Sequence, residues 1–511
     1  MRACESVKQE LVGLRAINIS LLRSFSASRG GGSNLDADLT NKSCVELATL
    51  IRAREVSPVE VVEAHLRKIE RLNPALNAIV TLAPEILDQA RAAETDLMSG
   101  KQIGPLHGVP LTIKDTIDTK DLRTTSGSRL RASHVPEKDA TAVTRLKGAG
   151  AIILGKTNTP EMAVPYETDN PVFGRTNNPH AHHRTPGGSS GGEAAAIAAC
   201  LSPAGIGSDL SGSIRVPAHF CGIVGLKPTT GRVPMDGHTP SAPELLSLGA
   251  CIGPMARTIE DLSLLFKVIA DATTFEPNQR TPPLEEKIAA PSELRVSWYA
   301  DDGIAPVTEG TRDAVVSVAK VLGEAGLEVS EERPPGISRG ATLWIELFSR
   351  AATAQLREFY RGSEDLAGPQ VAPFLRDHDD EANLGGNKTE KVAAAVLERE
   401  RLREDLLQWM ETTPLILAPV GATPAFEHGA RRVEVNGQSI SVFHAFSYSQ
   451  TFNVFGLPSV VVPAGRSPDG LPIGVQIVGR PFEEQKVLAA AAIVAEGLGG
   501  IFFRCQSSAT N

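Results

Sequence analysis

The sequence predicts an α/β fold with one large mixed central β-sheet flanked by helices on both faces, and three observations point there. Amphipathic helical patterns alternate with short apolar runs from Ser43 onward. The order helix, glycine turn, apolar strand in ATAVTRLKGAGAIILGKTN is the repeating unit of sheets whose strands are buried. Apolar segments then return after a long helical stretch, as PLILAPV and GLPSVVVPAG. No internal repeat interrupts this order, so a single domain is expected rather than a string of modules.

Taken in order, SCVELATLIRAREV and SPVEVVEAHLRKIERLN each space apolar residues by three and four, and the second opens on the helix-start pair Ser57-Pro58. APEILDQARAAETDLMSG reads as a third helix. PLHGVPLTIKD brings turn residues and then a strand, Val109 to Ile113, with Lys114 at its end; the next strand is Ala151 to Leu154. TPGGSSGG leads into the small-residue helix EAAAIAACL, and a second Gly/Ser-dense stretch, GIGSDLSGSIRVPAHFCG, follows. Thr273 to Pro291 is rich in proline and charge and reads as a surface connection before the strand LRVSWYA. EKVAAAVLERERLREDLLQWM reads as a long helix.

Composition narrows the function classes. A chain of 511 residues, 41% hydrophobic and 22% charged, can bury a large core. Its formal net charge of −9 disfavours nucleic acid as a partner. The cysteines Cys4, Cys44, Cys200, Cys221, Cys251 and Cys505 are scattered and form no CxxC pair, as expected of reduced thiols in a cytoplasmic protein with no zinc site or disulfide framework. No apolar run approaches the roughly 20 residues that cross a bilayer, so no membrane span is expected. Residues 1–34 read as a disordered extension rather than a targeting segment: Arg15 interrupts the apolar stretch Leu11 to Leu22, and Glu5 and Glu10 are unusual in a transit peptide.

The segment Pro186 to Gly192, PGGSSGG, has the composition of a flexible linker. Linkers do not usually run straight into an Ala-rich helix, whereas a strand-to-helix turn that brings backbone close to a reacting group needs glycines. Phosphate binding is the rival reading, but neither GxxxxGK[ST] nor GxGxxG is present.

With GGSSGGEAAAIAAC, then GIGSDLSGSIRVPAHFCGIVGLKPTTGRVP, and PLHGVPLTIKDTID upstream, the sequence resembles the amidase signature family. The three motifs stand in the family's order, and the resemblance extends more weakly from about Ser43 to Ala490. It implies a Ser-Ser-Lys triad: Lys114 as base, Ser189 as bridging serine in a cis peptide after Gly188, and Ser213 as nucleophile. It also implies one domain over residues 35–505, with a helical substrate-pocket region near 337–410 and a tail at 506–511. The turn Leu210-Ser211-Gly212-Ser213 offers successive backbone N–H groups as an oxyanion hole. Ser211 stands where the family often has glycine. Gly188, Asp209 and Arg215 are expected to be structural supports, the last two as an ion pair holding the turn.

The chemistry is consistent with these roles. A serine hydroxyl needs a neighbouring base to act as nucleophile, and a lysine serves only when neutral, a state that burial beside Gly-rich backbone favours. Histidine is the usual partner of a catalytic serine, yet no GxSxG elbow accompanies His107, His180, His182 or His183. HAHH reads as a solvated loop rather than a metal site, since no Asp/Glu or Cys ligand pattern joins it. Lys156 in GKTN is a rival base whose position also suits solvent exposure. Neither cofactor nor metal is expected.

The resemblance implies hydrolysis of carboxylic amide C–N bonds, with carbamates (urethanes) and esters as further small-molecule substrates. The alternative is the glutaminase subunit of a transamidating complex. That branch usually carries a GYYDAYY-like helical motif and an acidic glutamine-binding position before NxxGLP, where this chain has FHAFSYSQTFNVFGLP. Aryl or hydrophobic amides are therefore the expected substrates, with Met162 to Tyr166 and Phe443 to Phe455 as candidate pocket segments. A homodimer stays open as the assembly.

Overall fold

The computed structural model describes residues 38–270, 282, 294–376 and 388–499. The expected N-terminal extension, the C-terminal tail and, apart from Pro282, the Thr273 to Pro291 connection lie outside them. Local chemistry starts the helices. The Ser43 and Ser57 side chains accept the N–H of the residue three positions on, and Glu46 and Glu60 reach back to the serine N–H. These two capping boxes open α1 (Cys44–Arg52) and α2 (Pro58–Leu76).

Among the described residues, eleven strands form one sheet in the order β1 (Ile79–Leu82), β3 (Ile152–Thr157), β2 (Pro110–Lys114), β4 (Ala204–Asp209), β6 (Cys251–Ala256), β5 (Val224–Lys227), β12 (Ser459–Arg466), β13 (Pro472–Val478), β9 (Leu415–Pro419), β7 (Arg295–Trp298) and β8 (Glu328–Glu331). The sheet is mixed: β2 runs parallel to β3 and β4, whereas β4 pairs antiparallel with β6 and β12 with β13. Alternate residues of the central strands face different cores. Val460, Val462, Ile473, Val475, Leu415 and Leu417 join one cluster, and Val461, Ile416 and Ala418 join others. This period-two division is what a sheet covered on both faces requires.

β4 lies inside the second Gly/Ser-dense stretch and is a fully buried strand. Its glycines have a packing reason. A Cβ on Gly205 would stand 2.0 Å from Glu193 Oε1 and 2.4 Å from the Thr112 carbonyl oxygen, so only glycine lets α3 (Gly191–Ala198) press this close. A hairpin of β10 (Arg432–Val435) and β11 (Gln438–Ser441) turns on Asn436-Gly437, both at positive φ, and the Asn-Gly pair is its sequence signal. Cys44, Cys221 and Cys251 are buried free thiols, but Cys200 is disulfide-bonded, which corrects the expectation of six reduced thiols. No helix among the described residues is long and apolar enough to cross a membrane.

Candidate active site

Parallel strands leave a crevice beyond their C-terminal ends, and here the neighbours β2 and β4 open one. β2 ends on Lys114 and β4 on Ser208 and Asp209. The turn into α3 carries Ser189, and the turn between β4 and α4 (Arg215–Cys221) carries Ser213. Lys114 is fully buried, and its Nζ donates to Ser189 Oγ at 2.6 Å and to Ser208 Oγ at 2.9 Å. The Gly188–Ser189 peptide is cis. Ser189 and Ser213 line the same cavity, of about 220 Å³, and the Ser190 N–H donates to the Ser213 carbonyl at 3.1 Å, tying the two serine turns together.

Burial lowers the Lys114 pKa to about 7, against the opposing pull of Asp209 and Glu193. Neither carboxylate is hydrogen-bonded to the lysine. Glu193 instead accepts from Thr157 at 2.7 Å and from Thr112, and burial raises it to about 7. The glycines of the Ser189 turn are sites of close approach: a Cβ on Gly188 would lie 2.5 Å from the Pro165 carbonyl oxygen, and one on Gly192 2.4 Å from the Asn158 backbone nitrogen. Gly192→Ala is expected to lower stability by about 1–3 kcal/mol through forced backbone movement, read as an earlier urea unfolding midpoint.

The turn after β4 is held peptide by peptide. Because a trans peptide sends its N–H opposite its C=O, pinning one carbonyl aims the next residue's amide. Trp344 Nε1–H donates to the Leu210 carbonyl at 2.8 Å, which sets the Ser211 N–H. The Val216 N–H donates to the Gly212 carbonyl at 2.6 Å, which sets the Ser213 N–H. The Tyr166 hydroxyl donates to the Ser211 carbonyl at 2.7 Å, and the Gly212 N–H on that same peptide donates to Asp209 Oδ1 at 2.8 Å. Gly212 therefore leaves the expected set of oxyanion donors, because the buried Asp209 carboxylate collects its amide; Leu210, Ser211 and Ser213 line the cavity.

Asp209 and Arg215 form a buried ion pair. Arg215 Nη2 and Nε donate to Asp209 Oδ1 and Oδ2 at 3.0 and 3.1 Å, and neither side chain is exposed. Burial alone would raise the Asp209 carboxyl, but the Arg215 guanidinium holds it well below the usual carboxylate range. Helices α5 (Glu309–Glu324), α6 (Gly340–Trp344) and α7 (Lys388–Trp409) precede α8 (Ser447–Val454), whose Asn453 Nδ2 adds a bond to Asp209 Oδ1 at 2.9 Å. Gln476 Oε1 on β13 accepts from Arg215 Nη1 at 2.9 Å.

The rivals lie elsewhere. Lys156 is buried, not exposed, and donates to Thr119 Oγ1 at 2.9 Å and to the Ile117 carbonyl, away from the cavity lining. His107 bonds the Ala93 carbonyl and His180 the Cys221 carbonyl, while His182 and His183 are exposed. No group of three potential ligands for a metal occurs among the described residues. The cavity wall is largely apolar, with Met162, Met235, Leu246, Trp344, Phe374 and Phe443. Of the two candidate pocket segments, Met162 to Val164 and Phe443 reach it, whereas Phe446, Tyr448, Phe452 and Phe455 are core. Sequence reading passes over Ser208, Trp344 and His238, and it offers Tyr166 as a pocket residue without its bond to the Ser211 carbonyl. Ser208 lies within the second Gly/Ser-dense motif, but nothing in the local pattern singles out Trp344 or His238.

The chain belongs to the amidase family: the Amidase family model matches residues 60–488. The chain is 36% identical over 476 residues to the A subunit of the glutamyl-tRNA(Gln) amidotransferase of Thermus thermophilus, covering 88% of this chain and 97% of the relative. A bacterial aryl acylamidase of the amidase signature family superposes with a TM-score of 0.79 at 26% identity, over 90% of this chain and 97% of that one. A protein of a vestigial complex bearing on the origins of an s-triazine catabolic enzyme superposes at 0.81 with 28% identity, over 90% and 99%.

Proposed function

We propose that this chain is a hydrolase of carboxylic amides that works through an acyl-enzyme on Ser213. The observation that carries the reading is a fully buried lysine 2.6 Å from Ser189 Oγ, beside a cavity that also holds Ser213. Ser213 Oγ attacks the carbonyl carbon while its proton passes to Ser189 and the Ser189 proton to neutral Lys114. The Ser211 and Ser213 amides, aimed by their pinned neighbours, stabilise the oxyanion. Ser189 then protonates the departing amine and is reprotonated by Lys114, and water repeats the sequence to release the acid.

The apolar wall supports aryl or hydrophobic amides as substrates, with carbamates and esters offering the same carbonyl to the nucleophile. Among the described lining residues, the sole carboxylate is Asp209, already held by Arg215, and there is no lysine or arginine. A free amino acid would thus find no counter-charge for its ammonium or carboxylate. A second reading, the glutaminase subunit of a transamidating complex, is favoured by the relative from Thermus thermophilus and its 36% identity. A panel of matched anilide, carbamate, ester and L-glutamine separates the two, with intact-mass detection of the acyl group on Ser213. Faster turnover of glutamine than of the anilide favours the second reading, and no turnover of any acyl substrate refutes both.

The lysine also sets a pH dependence. Its ammonium form has no lone pair, so kcat/KM is expected to rise with pH and reach half its plateau near pH 7, where Lys114 loses its proton. A flat profile across that range would remove Lys114 from the role of base.

A further inference from the structure

His238 stands on the cavity wall beside the relay and has no part in the mechanism described so far. Its loop is strapped to the chain that follows Lys114: the Thr239 N–H donates to the Thr116 carbonyl at 2.8 Å, and the Asp118 N–H to the Gly237 carbonyl at 2.8 Å. The ring makes two contacts, Nδ1 to the Pro240 carbonyl at 2.7 Å and Nε2 to Ser208 Oγ at 2.9 Å. A carbonyl can only accept, so Nδ1 carries the hydrogen, and in the neutral ring Nε2 is an acceptor. Burial, and then the charge of Lys114, lower the His238 pKa to about 4, which keeps the ring neutral at ordinary pH.

This order propagates. Ser208 gives its only hydrogen to His238 and so presents lone pairs alone to Lys114, whose Nζ lies 2.9 Å away. A neutral amine has two hydrogens and one lone pair. When one hydrogen is drawn to Ser208, the lone pair is free to face Ser189, which must deliver its proton there. We propose that His238 is a positioning residue of the relay, one that fixes the direction of its hydrogen bonds by accepting from Ser208. The inference rests on the Ser213 acyl-enzyme reading and deepens it. The charged groups facing the relay are Lys114 on β2, Asp209 at the end of β4 and Glu193 on α3, and Lys114 is the one that acts on His238.

Removing the acceptor frees the Ser208 hydrogen to donate to the Lys114 lone pair, competing with Ser189 and favouring the neutral amine. The test needs no knowledge of the substrate. An aryl sulfonyl fluoride forms an Oγ–S bond to Ser213 and expels fluoride, and the serine proton enters the relay; the rate is read by intact mass against pH. His238→Leu should lower the plateau rate about tenfold and move its midpoint to lower pH by about half a unit. His238→Gln, whose amide oxygen can accept from Ser208, should restore most of both. Ser208→Ala combined with His238→Leu should be no slower than Ser208→Ala alone. A His238→Leu profile that matches the wild type, or losses that multiply in the double variant, would overturn the role of His238. Absence of labelling in the wild type itself would instead defeat the serine-nucleophile reading beneath it.

Discussion

Ser213→Ala is expected to reduce turnover of a responsive anilide by on the order of 10⁴-fold to 10⁶-fold, the scale on which serine hydrolases lose activity with their nucleophile. The reason is local. Ser189 touches the lysine but belongs to the other turn, and Ser211, on the same turn, stands two residues from the position of Ser213. The aimed amides and the apolar wall remain, so substrate binding should survive and KM should change little beside kcat. Intact mass should show an acyl adduct on the wild type and none on the variant. A wild-type rate in Ser213→Ala would end the acyl-enzyme account.

The largest expected effect on stability belongs to Arg215→Met. This change leaves the Asp209 carboxylate buried without its cation, a loss of about 3–5 kcal/mol by comparison with other broken buried pairs. Denaturant unfolding should show it as a lowered midpoint. The sign of the pH dependence checks the cause. In the wild type the depressed Asp209 pKa contributes stability that is present above the unfolded-state value and is lost as pH falls through the folded-state value. Without Arg215, burial dominates and raises that pKa, so the variant should lose its deficit relative to wild type as the solution is acidified. A deficit that does not depend on pH would mean that lost packing, rather than the stranded charge, accounts for the damage.

The legible parts of this protein were those encoded over short spans. Ser43 and Ser57 with their glutamates three residues on, the apolar run into Lys114 and the Asn-Gly pair of the β10–β11 hairpin each state their structure within a few neighbours. The glycine-flanked serines were readable for the same reason. What escaped depends on distant partners. Trp344 meets the Leu210 carbonyl from 134 residues away, and Tyr166 meets the Ser211 carbonyl from 45 residues away. Lys156 is a sharper case: at the C-terminal part of β3 it looked free to reach water, but the loop at Ile117 and Thr119 folds over its amine. The donor pattern of Gly212 failed likewise, since a Gly-rich turn shows where amides are exposed in principle and not which of them a carboxylate has already claimed.

The Asp209–Arg215 pair has a consequence in time. Two of its hydrogen-bond partners, Asn453 and Gln476, lie 244 and 261 positions further along the chain from the atoms they bond. A ribosome releasing this protein exposes the Ser213 turn long before either partner exists. Contacts so remote in sequence form late, after the intervening chain has been ordered. The newborn N-terminal half therefore carries Lys114, Ser189 and Ser213 before the two residues that complete the brace behind the Ser213 turn have been made.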